Sequence, residues 1–266
     1  MIKIRVYDYG NNLYEIRDYC FKKPNKIDDY VSVDKDYVVN KTTGEAKEKR
    51  KPTSKEDVDS LQSSMLKEFR LLLYNINKAI PNGTVYYVTM TNRNLITYED
   101  FNHNLDKFVK RLKYEHKKQS KSKLKYAFIK EANAKGRYHI HGFIWYEDKN
   151  EITLSAKTIQ DKWCYGSKCI KKVKTSEDLL KAIMYSTNYS DFRKNAKVTR
   201  KKVGLNFFPP NIRLVSRTRN LAELPFIVIS EPPEMNEDNV ICHSERDQKN
   251  FSYSSTFYMQ DKTYTK

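Results

Sequence analysis

Apolar residues recur at spacings of three and four along SKEDVDSLQSSMLKEFRLLLYNINKAI, where Val58, Leu61, Met65, Phe69, Leu72, Ile76 and Ile80 fall on one side of a long helix. Ser54 is placed to cap its start, and Pro81-Asn82-Gly83 closes it. The period then changes. TVYYVTMT (84–91) is dense in β-branched and aromatic residues and predicts a central strand. TYEDFNHNLDKFVKRLKYEHKK returns to helical spacing, with Phe101, Leu105, Phe108 and Leu112 on one face and Lys107, Lys110, Arg111 and Lys113 around the remainder.

KLKYAFIKEA (123–132) and RYHIHGFIWYE (137–147) read as strands joined by Asn133-Ala134-Lys135-Gly136, a tight hairpin, and are expected to pair antiparallel. A short helix near 155–163, a short strand near 167–173 and a helix over about 176–190 follow. These alternating elements predict an α+β sandwich, a mainly antiparallel central sheet with helices packed over it. The ends are less patterned. MIKIRVYDYG suits a strand, NKTTGEAKEKRKPTSKE reads as a charged loop or linker, and LPFIVISEPPEM is strand-like. The last thirty or so residues suit a peripheral strand pair or a partly ordered tail.

The 266 residues, 39% apolar and 13% aromatic, suffice for one sizeable core and exclude a wholly disordered chain. No apolar run approaches a membrane span, and acidic and polar residues occupy the start, so neither a membrane protein nor an exported one is expected. Cys20, Cys164, Cys169 and Cys242 are too few and too dispersed for a disulfide scaffold, which points to the cytoplasm. Fifty Lys and Arg against 33 Asp and Glu give a net charge of +17, a field that attracts a polyanion. Its densest run is DFRKNAKVTRKKV, containing Arg193, Lys194, Arg200, Lys201 and Lys202.

Within RYHIHGFIWYE, the two-residue period of a strand points His139 and His141 to one face and Ile140 to the other. Two such imidazoles suit a divalent metal once an oxygen ligand joins them, and hairpin pairing can bring Glu131 beside them. Packing histidines and a solvated or lysine-paired Glu131 are the alternatives. Tyr185 and Tyr189 lie four apart on the last helix and share a face, as core or interface tyrosines also do. Cys164 and Cys169 lack a second pair for a zinc site, His103 and His116 read as helical surface residues, and His243 is isolated. No phosphate-binding glycine loop occurs, so neither a nucleotide cofactor nor a fused motor is expected.

Together, VYYVTMTNR, KEANAKGRYHIHGFIW and LLKAIMYSTNYSDF resemble the three ordered motifs of rolling-circle replication initiators of the HUH endonuclease family. The resemblance runs from about 54 to 224. It implies an HUH-like domain there, with 1–53 a peripheral segment and linker and 225–266 a C-terminal extension. Thr89 and Thr91 fall on the first motif's strand, His139 and His141 on its metal-binding pair, and Glu131 on the acidic ligand of the preceding strand. Tyr185 matches the leading tyrosine of the YxxKY motif and Tyr189 the second. Asn188 stands where that motif has lysine, with Lys181 and Lys194 nearby as substitutes for its charge.

The resemblance implies Mg²⁺ or Mn²⁺ at Glu131, His139 and His141, and attack by Tyr185 on single-stranded or hairpin origin DNA to leave a 5′-phosphotyrosine. Tyr189 would make a second transfer or support the first, and a host helicase and DNA polymerase would continue replication. The basic residues of 107–113 and 193–202 would hold the phosphate backbone, and Trp145, Tyr146 or Trp163 are candidates for stacking on bases. The competing readings are a non-catalytic basic nucleic-acid-binding protein and an HUH transposase or relaxase.

Overall fold

The computed structural model describes residues 2–21, 30–34, 36–49, 61–120, 122–147, 153–187, 204–229, 237–247 and 251–259. The chain opens with strands β1 (Ile2–Asp8) and β2 (Leu13–Phe21), then three short strands β3 (Tyr30–Ser32), β4 (Tyr37–Asn40) and β5 (Ala46–Glu48), and helix α1 (Leu61–Asn77). Next come β6 (Thr84–Thr91), α2 (Tyr98–Gln119), β7 (Lys125–Ala132), β8 (Tyr138–Tyr146), α3 (Ala156–Lys162), β9 (Lys168–Val173) and α4 (Ser176–Thr187). Strands β10 (Val215–Arg217), β11 (Phe226–Ile229), β12 (Val240–Asp247) and β13 (Phe251–Met259) finish it. The fold is α+β with antiparallel sheets and, among the described residues, four α-helices, compatible with the HUH-like sandwich expected from the sequence.

The sheet that matters for function has the order β10-β7-β8-β6-β9, with every neighbouring pair antiparallel. Alternation along β7 and β8 sends Phe128, Tyr138 and Ile140 to one face and Glu131, His139 and His141 to the other. Helix α2 covers the first face. Its apolar stripe seats Phe101 flat on Tyr138 and Phe108 against Phe128 and Trp163. Thr97 caps that helix by accepting from the Asp100 amide, with Glu99 and Asp100 in the first turn and basic residues in the last, each charge favourable to the helix dipole. Helix α4 lies over the histidine face, with α1 packed beside it.

A second five-stranded sheet, β11-β1-β2-β13-β12, joins the two ends of the chain. Strand β13 pairs with β2 along its length, from Phe251 opposite Phe21 to Met259 opposite Leu13, so the C-terminal segment forms a strand pair set within the sheet. Helix α1 ties this sheet to the first: Phe69 meets Phe257 edge-on, and Arg70 reaches Glu15 on β2. The β1–β2 turn is held by Asn77, whose amide donates to the carbonyls of Tyr9 and Gly10.

The charged stretch expected to be a loop contributes β5. Asn40 turns the chain by accepting from the Thr42 and Thr43 amides, and Gly44 adopts a φ of 72°, so a small exposed hairpin forms with little to bury. The predicted start of the first long helix, Val58 with Ser54 as cap, lies outside the described residues.

Candidate functional site

The β7–β8 hairpin sets the site. Asn133 Oδ1 accepts from the amides of Lys135 at 2.9 Å and Arg137 at 3.0 Å, while Gly136 supplies a φ of 76°. This turn places Glu131 directly opposite His139, and β6 places Thr91 opposite His139 and Thr89 opposite His141. Glu131 is buried, at 4% exposure, and not a solvated strand-end charge. The three candidate ligand atoms of Glu131, His139 and His141 lie within 4.8 Å of one another.

The separations fit a shared cation better than direct ion pairs. Glu131 Oε2 stands 3.5 Å from His139 Nε2 and 3.8 Å from His141 Nε2, both longer than a hydrogen bond. Ligands about 2.0–2.2 Å from one ion, at angles between about 90° and 120°, sit about 3–4 Å apart. Both rings also turn the correct nitrogen inward. His139 Nδ1 faces the Arg137 carbonyl at 3.3 Å, which can only accept, so the proton sits on Nδ1 and the Nε2 lone pair faces Glu131. Two imidazole nitrogens and a carboxylate form a donor set that could hold a divalent metal and leave coordination positions open.

His141 Nδ1 is met by Tyr87 Oη at 2.8 Å and Thr89 Oγ1 at 3.1 Å. The Tyr87 ring lies parallel to the imidazole, with centroids 5.9 Å apart. Burial, with the charge of Glu131 adding to it, pushes the Tyr87 phenol up to about 12, so it stays protonated and able to donate. Sequence reasoning named Thr89 and passed over Tyr87. The signal was available: in VYYVTMT, Tyr87, Thr89 and Thr91 share the face that carries the histidines.

Tyr185 projects from α4 with its ring perpendicular to that of His141, centroids 5.4 Å apart, and is 59% exposed. Partial burial and then the Glu131 charge raise its phenol above the ordinary tyrosine value. Of the residues the sequence singled out, the fold thus brings together Glu131, His139, His141, Thr89 and Tyr185. Tyr189, Asn188, Arg193, Lys194, Arg200, Lys201 and Lys202 lie outside the described residues. Lys181 is exposed and paired with Glu177 at 2.5 Å.

Lys107, Lys110 and Lys113 are exposed and Arg111 half-buried on α2, which covers the sheet face opposite the histidines. The stacking candidates need correction. Trp145, Tyr146 and Trp163 are each 1% exposed, and Tyr146 Oη is taken by the Leu154 amide while Trp163 Nε1 donates to the Thr91 carbonyl. They are core residues because both faces of the sheet are covered by helices. His116 is likewise buried against Tyr146 and not a surface residue, whereas His103 is exposed. Cys164 and Cys169 are exposed and free.

Gly142 lets the site strand sit close to its neighbour. A Cβ there would come within 2.3 Å of the Ala127 carbonyl oxygen and 2.5 Å of Phe128 Cδ1. Gly142→Ala is therefore expected to cost about 3 kcal/mol of stability by urea denaturation, and to weaken Mn²⁺ binding because His141 precedes it.

Among the described residues no helix is long and apolar enough to cross a membrane. No curated protein and no solved structure matches the chain. Residues 85–195 span the strand of Thr89, the hairpin of Glu131, His139 and His141, and the helix of Tyr185; they match the family model described as replication-associated protein, ORF2 or gene II protein, a match that supports a replication-associated protein and is consistent with a rolling-circle replication initiator.

Proposed function

We propose that the protein nicks and rejoins single-stranded origin DNA through a 5′-phosphotyrosine intermediate, as the initiating step of rolling-circle replication. The observation that carries this reading is the Tyr185 ring set against His141 of a buried Glu-His-His group. Mg²⁺ or Mn²⁺ held by Glu131, His139 and His141 would supply Lewis acidity to a non-bridging phosphate oxygen.

Tyr185 Oη attacks phosphorus, the bond from phosphorus to the 3′ oxygen breaks, the phenol proton is lost and the departing 3′ oxygen gains one. The product is a tyrosine-linked 5′ end and a free 3′-hydroxyl that a host polymerase can extend once a host helicase has opened the duplex. The phosphodiester is exchanged and not hydrolysed, so rejoining by attack of a 3′-hydroxyl needs no nucleotide cofactor. Glu131 opposes deprotonation of Tyr185, and neutralising that carboxylate's charge removes the opposition. Tyr189 would serve a second strand transfer.

The test is incubation of the wild type with single-stranded oligonucleotides tiled across the replicon that encodes it, with Mn²⁺ or with EDTA. A protein–DNA adduct that survives denaturing electrophoresis and needs the metal is expected. Salt-sensitive binding without an adduct under any condition would sink the enzymatic reading and leave a non-catalytic binding protein. An adduct formed at an element's ends or transfer origin, and not at its replication origin, would assign a transposase or relaxase.

For the basic run, Lys201→Ala together with Lys202→Ala is expected to weaken binding to unrelated single strands alike and to lower the salt slope by about 1.4, from roughly 0.7 per phosphate contact. An unchanged slope would place these charges away from DNA. The α2 cations, on the far face of the sheet, would add to the general field and contact DNA only if the strand wraps around the domain.

A further inference from the structure

The hydroxyls around His141 form a chain whose direction is fixed at one end. Ser186 Oγ donates to the Ala182 carbonyl at 2.9 Å, and a carbonyl cannot donate back. Ser186 has spent its proton there, so at its 3.4 Å contact with Tyr87 Oη it can only accept, and Tyr87 is the donor. The Tyr87 oxygen is then left to accept at its 2.8 Å contact with His141 Nδ1. Each link therefore runs the same way: His141 Nδ1–H to Tyr87, Tyr87 to Ser186, Ser186 to the backbone of α4.

Two consequences follow from the direction. His141 keeps its proton on Nδ1, which leaves the Nε2 lone pair facing Glu131. The chain also crosses from strand β6 to helix α4, ending on the residue next to Tyr185. Ser186 is fully buried, so this link is shielded from competing water.

We propose that Tyr87 and Ser186 are positioning residues: their hydroxyls hold His141 as the Nδ1–H tautomer and tie the helix of Tyr185 to that histidine. The proposal rests on reading Glu131, His139 and His141 as a metal site. It concerns how the site is held and not which ion it takes. Outer partners of this kind set ring orientation and ligand basicity, and their loss costs about 10- to 100-fold in metal affinity.

The test uses the ¹⁵N-labelled full chain without metal, at about pH 8, where imidazoles are neutral. Long-range imidazole correlation spectra report which nitrogen of His141 carries the proton. Wild type is expected to show Nδ1–H. Tyr87→Phe keeps the ring and removes the hydroxyl, and is expected to bring in the Nε2–H tautomer and to weaken Mn²⁺ binding by about 10- to 100-fold in calorimetry. Ser186→Ala frees Tyr87 to donate toward His141 and is expected to shift both measurements in the same direction. Tyr86→Phe, which removes a hydroxyl from the opposite face of the same strand, is expected to change neither.

A Tyr87→Phe protein that melts like wild type, retains the Nδ1–H tautomer and binds Mn²⁺ equally well would overturn the proposal and leave Thr89 as the partner of His141. A wild type that binds no Mn²⁺ would overturn the metal reading by itself, because the tautomer comparison is made on the metal-free protein.

Discussion

Tyr185→Phe is expected to abolish the covalent protein–DNA adduct while leaving single-strand affinity and Mn²⁺ binding at wild-type levels. The substitution removes one oxygen and keeps the ring, so the perpendicular packing on His141 survives. What disappears is the only atom of that side chain able to bond to phosphorus. No neighbouring hydroxyl in the described residues replaces it: Tyr87 is held by His141 and Ser186, its phenol pushed up to about 12 by burial. The loss should exceed about 10³-fold, the scale on which removing a covalent nucleophile acts. Tyr189→Phe is expected to spare the first cleavage and to impair a second transfer, measured as joining of a supplied 3′-hydroxyl strand. Equal adduct from Tyr185→Phe and wild type would remove Tyr185 from the nucleophile's role. An adduct that moves to a different peptide, found by mass spectrometry, would name its replacement.

The metal arm of the same assay has its own expected result. Glu131→Gln keeps the shape of the buried side chain and removes its charge, so one ligand of the triad loses its affinity for a hard cation. Because that charge also raises the Tyr185 phenol, the substitution separates two effects. Calorimetry should show weaker Mn²⁺ binding while the metal-free Tyr185 titrates closer to an ordinary tyrosine, read by ultraviolet absorbance against Tyr185→Phe. A Glu131→Gln protein with wild-type Mn²⁺ affinity would exclude the carboxylate as a ligand.

Much of the site was legible because its geometry is local. The period of two in YHIHG puts both histidines on one face, the four-residue turn at 133–136 fixes the register, and Glu131 falls opposite His139 as a result. Each step spans fewer than a dozen residues. The hydrogen-bond chain was not legible in this way. It needs Tyr87 and Ser186, 99 residues apart, to meet across a strand and a helix, and no sequence period encodes that distance.

The aromatic error has a different cause. GFIWY is apolar on both faces because helices cover both faces of the sheet, and a run without alternation is a sign of burial, not of a stacking surface. His116 offered the same warning, since it continues the stripe of Phe108 and Leu112 at a further helical step of four. The pairing of β2 with β13 is the longest-range feature. Leu13 and Met259 are register partners at opposite ends of the chain, and neither strand contains a signal naming the other.

That terminal sheet is expected to depend on one charge. Glu15 is 0% exposed, and it is held by Arg70 through bonds of 2.9 Å to Nε and 2.6 Å to an Nη, by the Tyr9 hydroxyl at 2.7 Å, and by the Ser255 hydroxyl. Burial alone would raise its carboxyl. The Arg70 charge and hydrogen bonds, then the Arg17 charge and Ser255, outweigh burial and leave it below the usual carboxylate value. Arg70→Met keeps much of the side-chain volume and removes the main compensating charge, and is expected to cost about 3–5 kcal/mol at pH 7 in urea denaturation, since an ionised carboxylate is left buried. The pH dependence carries the sign. With a folded pKa below the unfolded value of 4.5, Glu15 contributes stability that is complete above that value and is lost as pH falls through the folded pKa. In Arg70→Met the carboxyl titrates higher than in wild type, so it accepts its proton earlier on the way down. The gap between the two proteins should therefore narrow as pH is lowered from 7 toward about 4. A gap constant across that range would mean that Arg70 stabilises the sheet through packing on Tyr7, over whose ring it also lies at 5.1 Å, and not through Glu15.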